Sequence, residues 1–173
     1  VAGLPLYSLL GGAHRTEIPL YWSRGNGWRK EPSEMLEEIQ EGYEKGFRAF
    51  KVRMDWRDYR QDANPKKDFE LFKICREWLP DNVPLSFDAN CGYSVPTAIE
   101  QGRKLESMGV AHFEEPLPQY DLRGLRQVVD ALDCAVSTGE QEISPWRFRD
   151  LLDLANPDIL QPDILNVGGL SAM

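Results

Sequence analysis

No apolar stretch of this chain approaches the roughly 18–20 residues that a membrane-spanning helix needs, and no signal-peptide pattern opens it. Positive charge is in deficit: 20 Lys and Arg stand against 28 Asp and Glu, for a formal net charge of −8. Nucleic-acid backbones and anionic membrane surfaces both select a basic face, so neither is an expected partner. An acidic small molecule stays open, because local positive charge can oppose the global balance. Cysteine is scarce. Cys75, Cys91 and Cys134 are odd in number, far apart and without metal-type spacing, which fits reduced thiols in a cytoplasmic protein. Also missing are a P-loop, a dinucleotide glycine fingerprint after a strand, Cys/His metal spacing and a nucleophile elbow. The 173 residues, 42% of them hydrophobic, suffice for one core of an ordinary globular domain.

What is present is a strict alternation of short apolar runs and amphipathic stretches. The strands are expected at Ile18–Ser23, Phe47–Met54, Pro84–Asn90, His112–Glu114, Ala135–Glu140 and Asp158–Asp163. Between them lie helices opened by Ser33, Asp68, Ser94 and Ser144, and one carrying Leu122, Leu125, Val129 and Leu132. The polar stretch from Asp55 to Lys67 is long for a strand-to-helix connection, which marks it as functional or loosely ordered. Six βα repeats imply a parallel sheet with right-handed crossovers. A doubly wound sheet gathers its functional groups at one switch point, whereas a barrel carries them around the C-terminal rim. Lys51, Arg53, Asp88, Asn90, Glu114, Glu140 and Asp163 fall at one strand end after another, so a TIM-type (β/α) barrel is expected. Six strands do not close an eight-stranded barrel. Leu4–Leu10 before Gly11-Gly12 reads as the tail of a helix and Gly168-Gly169-Leu170 as a helix barely begun, so a segment of a longer protein is expected, with residues 1–15 a lead-in and 16–173 a partial barrel.

Three runs concentrate the chemistry: Phe87-Asp88-Ala89-Asn90, Phe113-Glu114-Glu115-Pro116 and Thr138-Gly139-Glu140-Gln141. Each ends an apolar stretch with a carboxylate, and 26 residues separate Asp88 from Glu114 and Glu114 from Glu140. About that length makes one βα unit, so the three acids are expected at one height on consecutive strands. Any one of them could be a loop solubiliser or a helix cap. Three in register repel unless a cation or proton intervenes, and an all-oxygen set favours Mg²⁺, with Mn²⁺ as the alternative. Alternation gives Glu115 the opposite parity and a structural contact. Asn90 reads as a contact to substrate or to metal-bound water, or as a partner of loop backbone. Lys51 and Arg53 read as counter-ions of the trio, or as a substrate-carboxylate clamp and base. Trp22 and Arg24 line a substrate pocket or decorate a surface loop. Asp163 is a fourth structural acid or the orienting partner of a histidine on the next strand. His14, in the opening loop, does not suit that pairing, and His112 reads as a packed core residue.

Lys51-x-Arg53, Asp88-x-Asn90, Glu114-Glu115-Pro116, Gly139-Glu140 and Gln161-Pro162-Asp163 followed by Gly168-Gly169, in this order, resemble the enolase superfamily, and most of all its mandelate racemase-like branch. Ser137–Glu142 and the run through Trp146, Phe148 and Arg149 to Asp163 look most like acid-sugar dehydratases such as rhamnonate dehydratase. The resemblance implies Mg²⁺ on Asp88, Glu114 and Glu140, and abstraction of the proton alpha to a carboxylate to give a metal-stabilised enediolate. It also implies a lead-in from a capping domain, later strands beyond this chain, a small carboxylate substrate and a homo-oligomer. The expected reaction is loss of water from a polyhydroxy acid to a 2-keto-3-deoxy acid, with racemisation of a 2-hydroxy acid or a non-catalytic metal-binding relative as alternatives. Arg53 departs from the branch's Lys-x-Lys pattern. Arginine stays protonated, so the main base is expected on a strand-seven histidine paired with Asp163.

Overall fold

The structure is a computed structural model that describes residues 2–55 and 61–173. After the short helix α1 (Leu6–Leu9), strands and helices alternate: β1 Trp22–Arg24, α2 Pro32–Glu44, β2 Phe50–Arg53, α3 Pro65–Trp78, β3 Leu85–Asp88, α4 Val95–Ser107, β4 Phe113–Glu114, α5 Leu122–Ala131, β5 Val136–Thr138, α6 Pro145–Leu154 and β6 Ile159–Leu160. All strand pairs are parallel, and the sheet order is β1-β2-β3-β4-β5-β6. Among the described residues this order never reverses, so they show no switch point of the doubly wound kind. Each of the helices α2 to α5 packs on the next one along the chain, up to α6, forming a single layer on one side of the sheet. That is the wall of a (β/α) barrel, as the alternation implies.

Pleating divides the strand residues between two faces. Phe50, Val52, Leu85, Phe87, Phe113 and Val136 turn toward the helices and are almost wholly removed from water. They meet Ile39, Leu71, Phe72, Cys75, Leu105, Leu125, Val128 and Leu151 in one core. Phe87 sits at its middle, with ring centroids 6.1 Å from Phe72 and 6.0 Å from Phe113. Lys51, Ser86, Asp88 and Glu114 take the opposite face. Among the described residues no helix is long and apolar enough to cross a membrane.

The element boundaries differ from the expected ones where proline or an Asx residue intervenes. β1 begins at Trp22 rather than Ile18: Pro19 has no N–H to pair, and Ile18 and Leu20 are exposed. α2 starts at Pro32, before Ser33, with the Glu31 N–H donating to the Glu34 carboxylate at 2.7 Å. α3 starts at Pro65 with Asn64 as its cap, not at Asp68. α6 opens with Pro145 after its cap Ser144 as expected; it buries Phe148 and Leu151 and leaves Trp146 and Leu152 exposed. Gly168-Gly169 lies in turns rather than opening a helix. The first part of the long stretch after Asp55, residues 56–60, lies outside the described residues.

Asp68, in the first turn of α3, is wholly buried, and the Tyr93 hydroxyl donates to its Oδ2 at 2.8 Å. Burial outweighs this bond and pushes its pKa from 3.8 to about 7. The fold therefore favours the protonated acid. Its contribution to stability is complete below the ordinary value and is lost as pH rises through the folded one. Asp68→Asn should gain on the parent chain by up to on the order of 3 kcal/mol between about pH 4 and about pH 8. Denaturant titrations at the two pH values check this, and a pH-independent difference contradicts it.

Candidate functional site

The inner face at the C-terminal strand ends carries the cluster. Parallel register sets Arg53 beside Asp88 and Asp88 beside Glu114 on β2, β3 and β4. Asp88 and Glu114 are each 1% exposed, so two carboxylates lie side by side in a nearly dry place. Lys51, one step lower on the same face, extends its ammonium between them. Its Nζ is 2.7 Å from both Glu114 oxygens and 3.6 Å from Asp88 Oδ2.

The two acids respond differently. Burial would raise Glu114, but hydrogen bonds from His112 and Lys51, the Lys51 charge and a bond from Gln161 hold it down to about 2. Asp88 is pushed well above the usual carboxylate range by burial and by the Glu114 charge, against the pull of Lys51 and the Asn90 N–H. With both acids ionised, one ammonium does not neutralise the pair. Burial disfavours the Lys51 charge, yet Asp88 and Glu114 overcome this and raise its pKa, so it is a fixed positive charge here. A hard dication fits the remaining negative charge and the all-oxygen donor set of this rim.

Glu140 does not stand level with the other two. Glu114 pairs in register with Ser137, so Glu140 lies three positions beyond that level, on an exposed turn. The equal spacing misleads because α5 has 10 residues where α4 has 13, which shortens that unit by a turn. Gly139, at φ 121°, breaks the strand and faces Phe148, where a Cβ would come within 2.8 Å of the ring. Glu140 still shares the rim: its charge raises both Glu115 and Arg53. Among the described residues, no three His, Cys, Asp or Glu side chains converge closely enough to hold a metal ion. Two of the three expected ligands are brought together, and the third stands above them.

The flanking residues divide in the same way. Arg53 pairs with Asp55 at 2.9 Å, a partner the sequence reading missed. Burial opposes its charge, but Asp55, Asp88 and Glu140 raise its pKa, and its Nε is buried without an acceptor among the described residues. Asn90 spends its side-chain oxygen on the Asp55 N–H at 2.6 Å and its own N–H on Asp88 Oδ1 at 2.8 Å. It ties the Asp88 loop to the neighbouring one, which is the backbone alternative. Trp22 and Arg24 face away from the acids, against the expected substrate contact. The Trp22 indole donates to the Glu38 carbonyl at 3.0 Å and packs on Phe47, while Arg24 pairs with Glu38 and Glu41 of α2. Alternation puts Ser23, not its neighbours, on the inner face.

Asp163 is exposed and accepts the Leu165 N–H at 2.7 Å, capping a local turn rather than joining the cluster. His14 is exposed in the lead-in. His112, expected in the packed core, instead turns its ring inward against Glu114 at 3.2 Å. Glu115 is buried on the loop side, as its parity implies, with Oε2 accepting from Gln141 at 3.1 Å and from the Cys91 thiol at 3.5 Å. A cavity of about 250 Å³ lined by Gln61, Cys91, Tyr120 and Gln141 opens beside it. Removing the ammonium would leave two buried carboxylates without a counter-charge. Lys51→Met should therefore cost about 3 kcal/mol in metal-free buffer, and excess Mg²⁺ should restore more stability to it than to the parent. Denaturation with and without chelator checks this, and a variant as stable as the parent contradicts it.

Known proteins resemble this chain in sequence and in fold. The chain is 36% identical over 171 residues to the L-talarate/galactarate dehydratase of Salmonella typhimurium, covering 98% of this chain and 41% of that enzyme. It is 31% identical over 170 residues to the arabinonate dehydratase of Saccharolobus solfataricus, covering 98% and 44%. The L-Ala-D/L-Glu epimerase of Bacillus subtilis matches at 28% over 173 residues, covering 99% and 44%. The chain thus spans less than half the length of these relatives. A mandelate racemase/muconate lactonizing protein from Paracoccus denitrificans, solved in complex with magnesium, superposes with a TM-score of 0.90 at 37% identity, over 96% of this chain and 44% of that one. Residues 34–173 match the family described as enolase C-terminal domain-like. The chain belongs to that family, and its six βα units are those of an enolase-superfamily TIM-type barrel.

Proposed function

We propose that this chain carries the metal-binding rim of a Mg²⁺-dependent dehydratase that converts a sugar acid to a 2-keto-3-deoxy acid. The observation that carries the reading is the pair of buried carboxylates, Asp88 and Glu114, set side by side at adjacent strand ends with more negative charge than Lys51 cancels. Asp88, Glu114 and, from the turn above, Glu140 would hold the ion. When bound, a dication supplies positive charge opposite the negative charge that builds on a substrate carboxylate as its alpha proton leaves. The sugar-acid dehydratases among the relatives support this substrate class.

The chain's own residues then have distinct tasks. Lys51 stays charged and holds the Glu114 carboxylate in place. Arg53 presents a buried, unspent N–H that suits a carboxylate or a departing hydroxyl. It cannot take the proton, because a guanidinium does not deprotonate in this range. The acceptor of the alpha proton is therefore placed outside this chain, on a strand-seven histidine. The epimerase relative favours a second reading, racemisation or epimerisation, but that chemistry needs a competent base on each face and Arg53 removes one of them.

The test is a panel of sugar acids incubated with the intact protein and Mg²⁺, with 2-keto-3-deoxy product assayed. Asp88→Asn should lower kcat/KM at least about 100-fold. Arg53→Lys should keep more activity than Arg53→Ala, which should lose about 100-fold. Turnover without a divalent cation contradicts the metal reading, and deuterium exchange at the alpha carbon without loss of water favours the epimerase.

A further inference from the structure

The layer beneath a barrel's catalytic rim is ordinarily filled by branched apolar side chains. Here it is polar. Lys51 and Ser86 pair in register on β2 and β3, and His112 stands beside Ser86, two residues before Glu114. All three take the inner face. The contacts form a continuous chain: Ser86 Oγ lies 2.9 Å from His112 Nδ1, His112 Nε2 lies 3.2 Å from Glu114 Oε2, and Lys51 Nζ lies 2.7 Å from that same oxygen.

The chemistry of the acceptor orients this chain. An ionised carboxylate only accepts, so Nε2 must carry the proton that faces Glu114. In the neutral ring Nδ1 is then an acceptor, and the Ser86 hydroxyl donates to it. Ser86 is 6% exposed, so this hydroxyl is held from solvent and its contact fixes the ring. Oε2 thus takes donors from both His112 and Lys51, and Lys51 also reaches Oε1.

We infer that Ser86 and His112 are positioning residues for the cation site: they fix the rotation of the Glu114 carboxylate and so set the affinity for a hard divalent cation. The inference rests on the reading of Glu114 as a ligand. Hydrogen-bond partners of ligating carboxylates typically contribute 10–100-fold in metal affinity. A side chain that merely filled space would change stability but leave metal affinity unmoved.

The experiment is calorimetric titration of Mg²⁺ into the intact, metal-stripped protein and its variants, with melting temperatures recorded without metal. His112→Phe is expected to weaken Mg²⁺ binding about 10-fold or more, Ser86→Ala by about 3-fold, and His112→Gln, which keeps an amide donor, by less than His112→Phe. Saturating Mg²⁺ should return the activity of Ser86→Ala to the parent value. Unchanged Mg²⁺ affinity in a folded His112→Phe overturns the inference. Should that variant not fold, unchanged affinity in Ser86→Ala overturns it alone. Glu114→Gln separates the two readings. If it binds Mg²⁺ as the parent does, the ligand assignment fails and takes this inference with it. If it loses binding while His112→Phe does not, only the positioning role fails.

Discussion

Asp88 and Glu114 occupy neighbouring positions on adjacent parallel strands, both out of reach of water, with one ammonium between them. Two like charges about 4 Å apart repel by about 4 kcal/mol at the effective dielectric of a protein interior. Burial adds a desolvation cost for each. A globular protein keeps such a pair only with compensating positive charge or a proton on one acid, and Lys51 supplies one unit of that charge. The helices behind the sheet make the cost so high. The core around Phe72, Phe87 and Phe113 excludes water from the strands' outer side, while their inner side presents the acids. Fold and chemistry are thus the same constraint seen from two faces of one sheet.

Much of this was legible in the residue pattern. Alternation in Phe50-Lys51-Val52-Arg53 and Ser86-Phe87-Asp88 states which side chains go to the core and which to the rim, because side chains of a strand have a period of two. Six repeats of strand and helix imply the parallel order that the sheet shows. The family resemblance drawn on five ordered motifs agrees with the match over residues 34–173.

The misplacements have separate physical causes. Glu140 seemed level with Glu114 because residue counts measure chain length and not height, and a shorter α5 moved the register to Ser137. Trp22 and Arg24 fall at the end of the expected strand Ile18–Ser23, where pocket residues lie, but the strand is Trp22–Arg24 and the contacts with Glu38, Glu41 and Phe47 turn both side chains away. Asp163 caps a turn, a local bond that a motif does not reveal. His112 was read as core because it precedes the acid by two residues. The same parity that makes it inward-facing also brings it to Glu114.

The central claim is that the charge left uncancelled by Lys51 is met by a divalent cation at this rim. Anomalous diffraction from crystals of the intact protein soaked in Mn²⁺, a scatterer with oxygen preferences close to those of Mg²⁺, tests it most directly. The expected result is one strong peak touching Asp88, Glu114 and Glu140. A peak elsewhere, or a fully occupied Lys51 bridge with no metal beside it, would contradict the account.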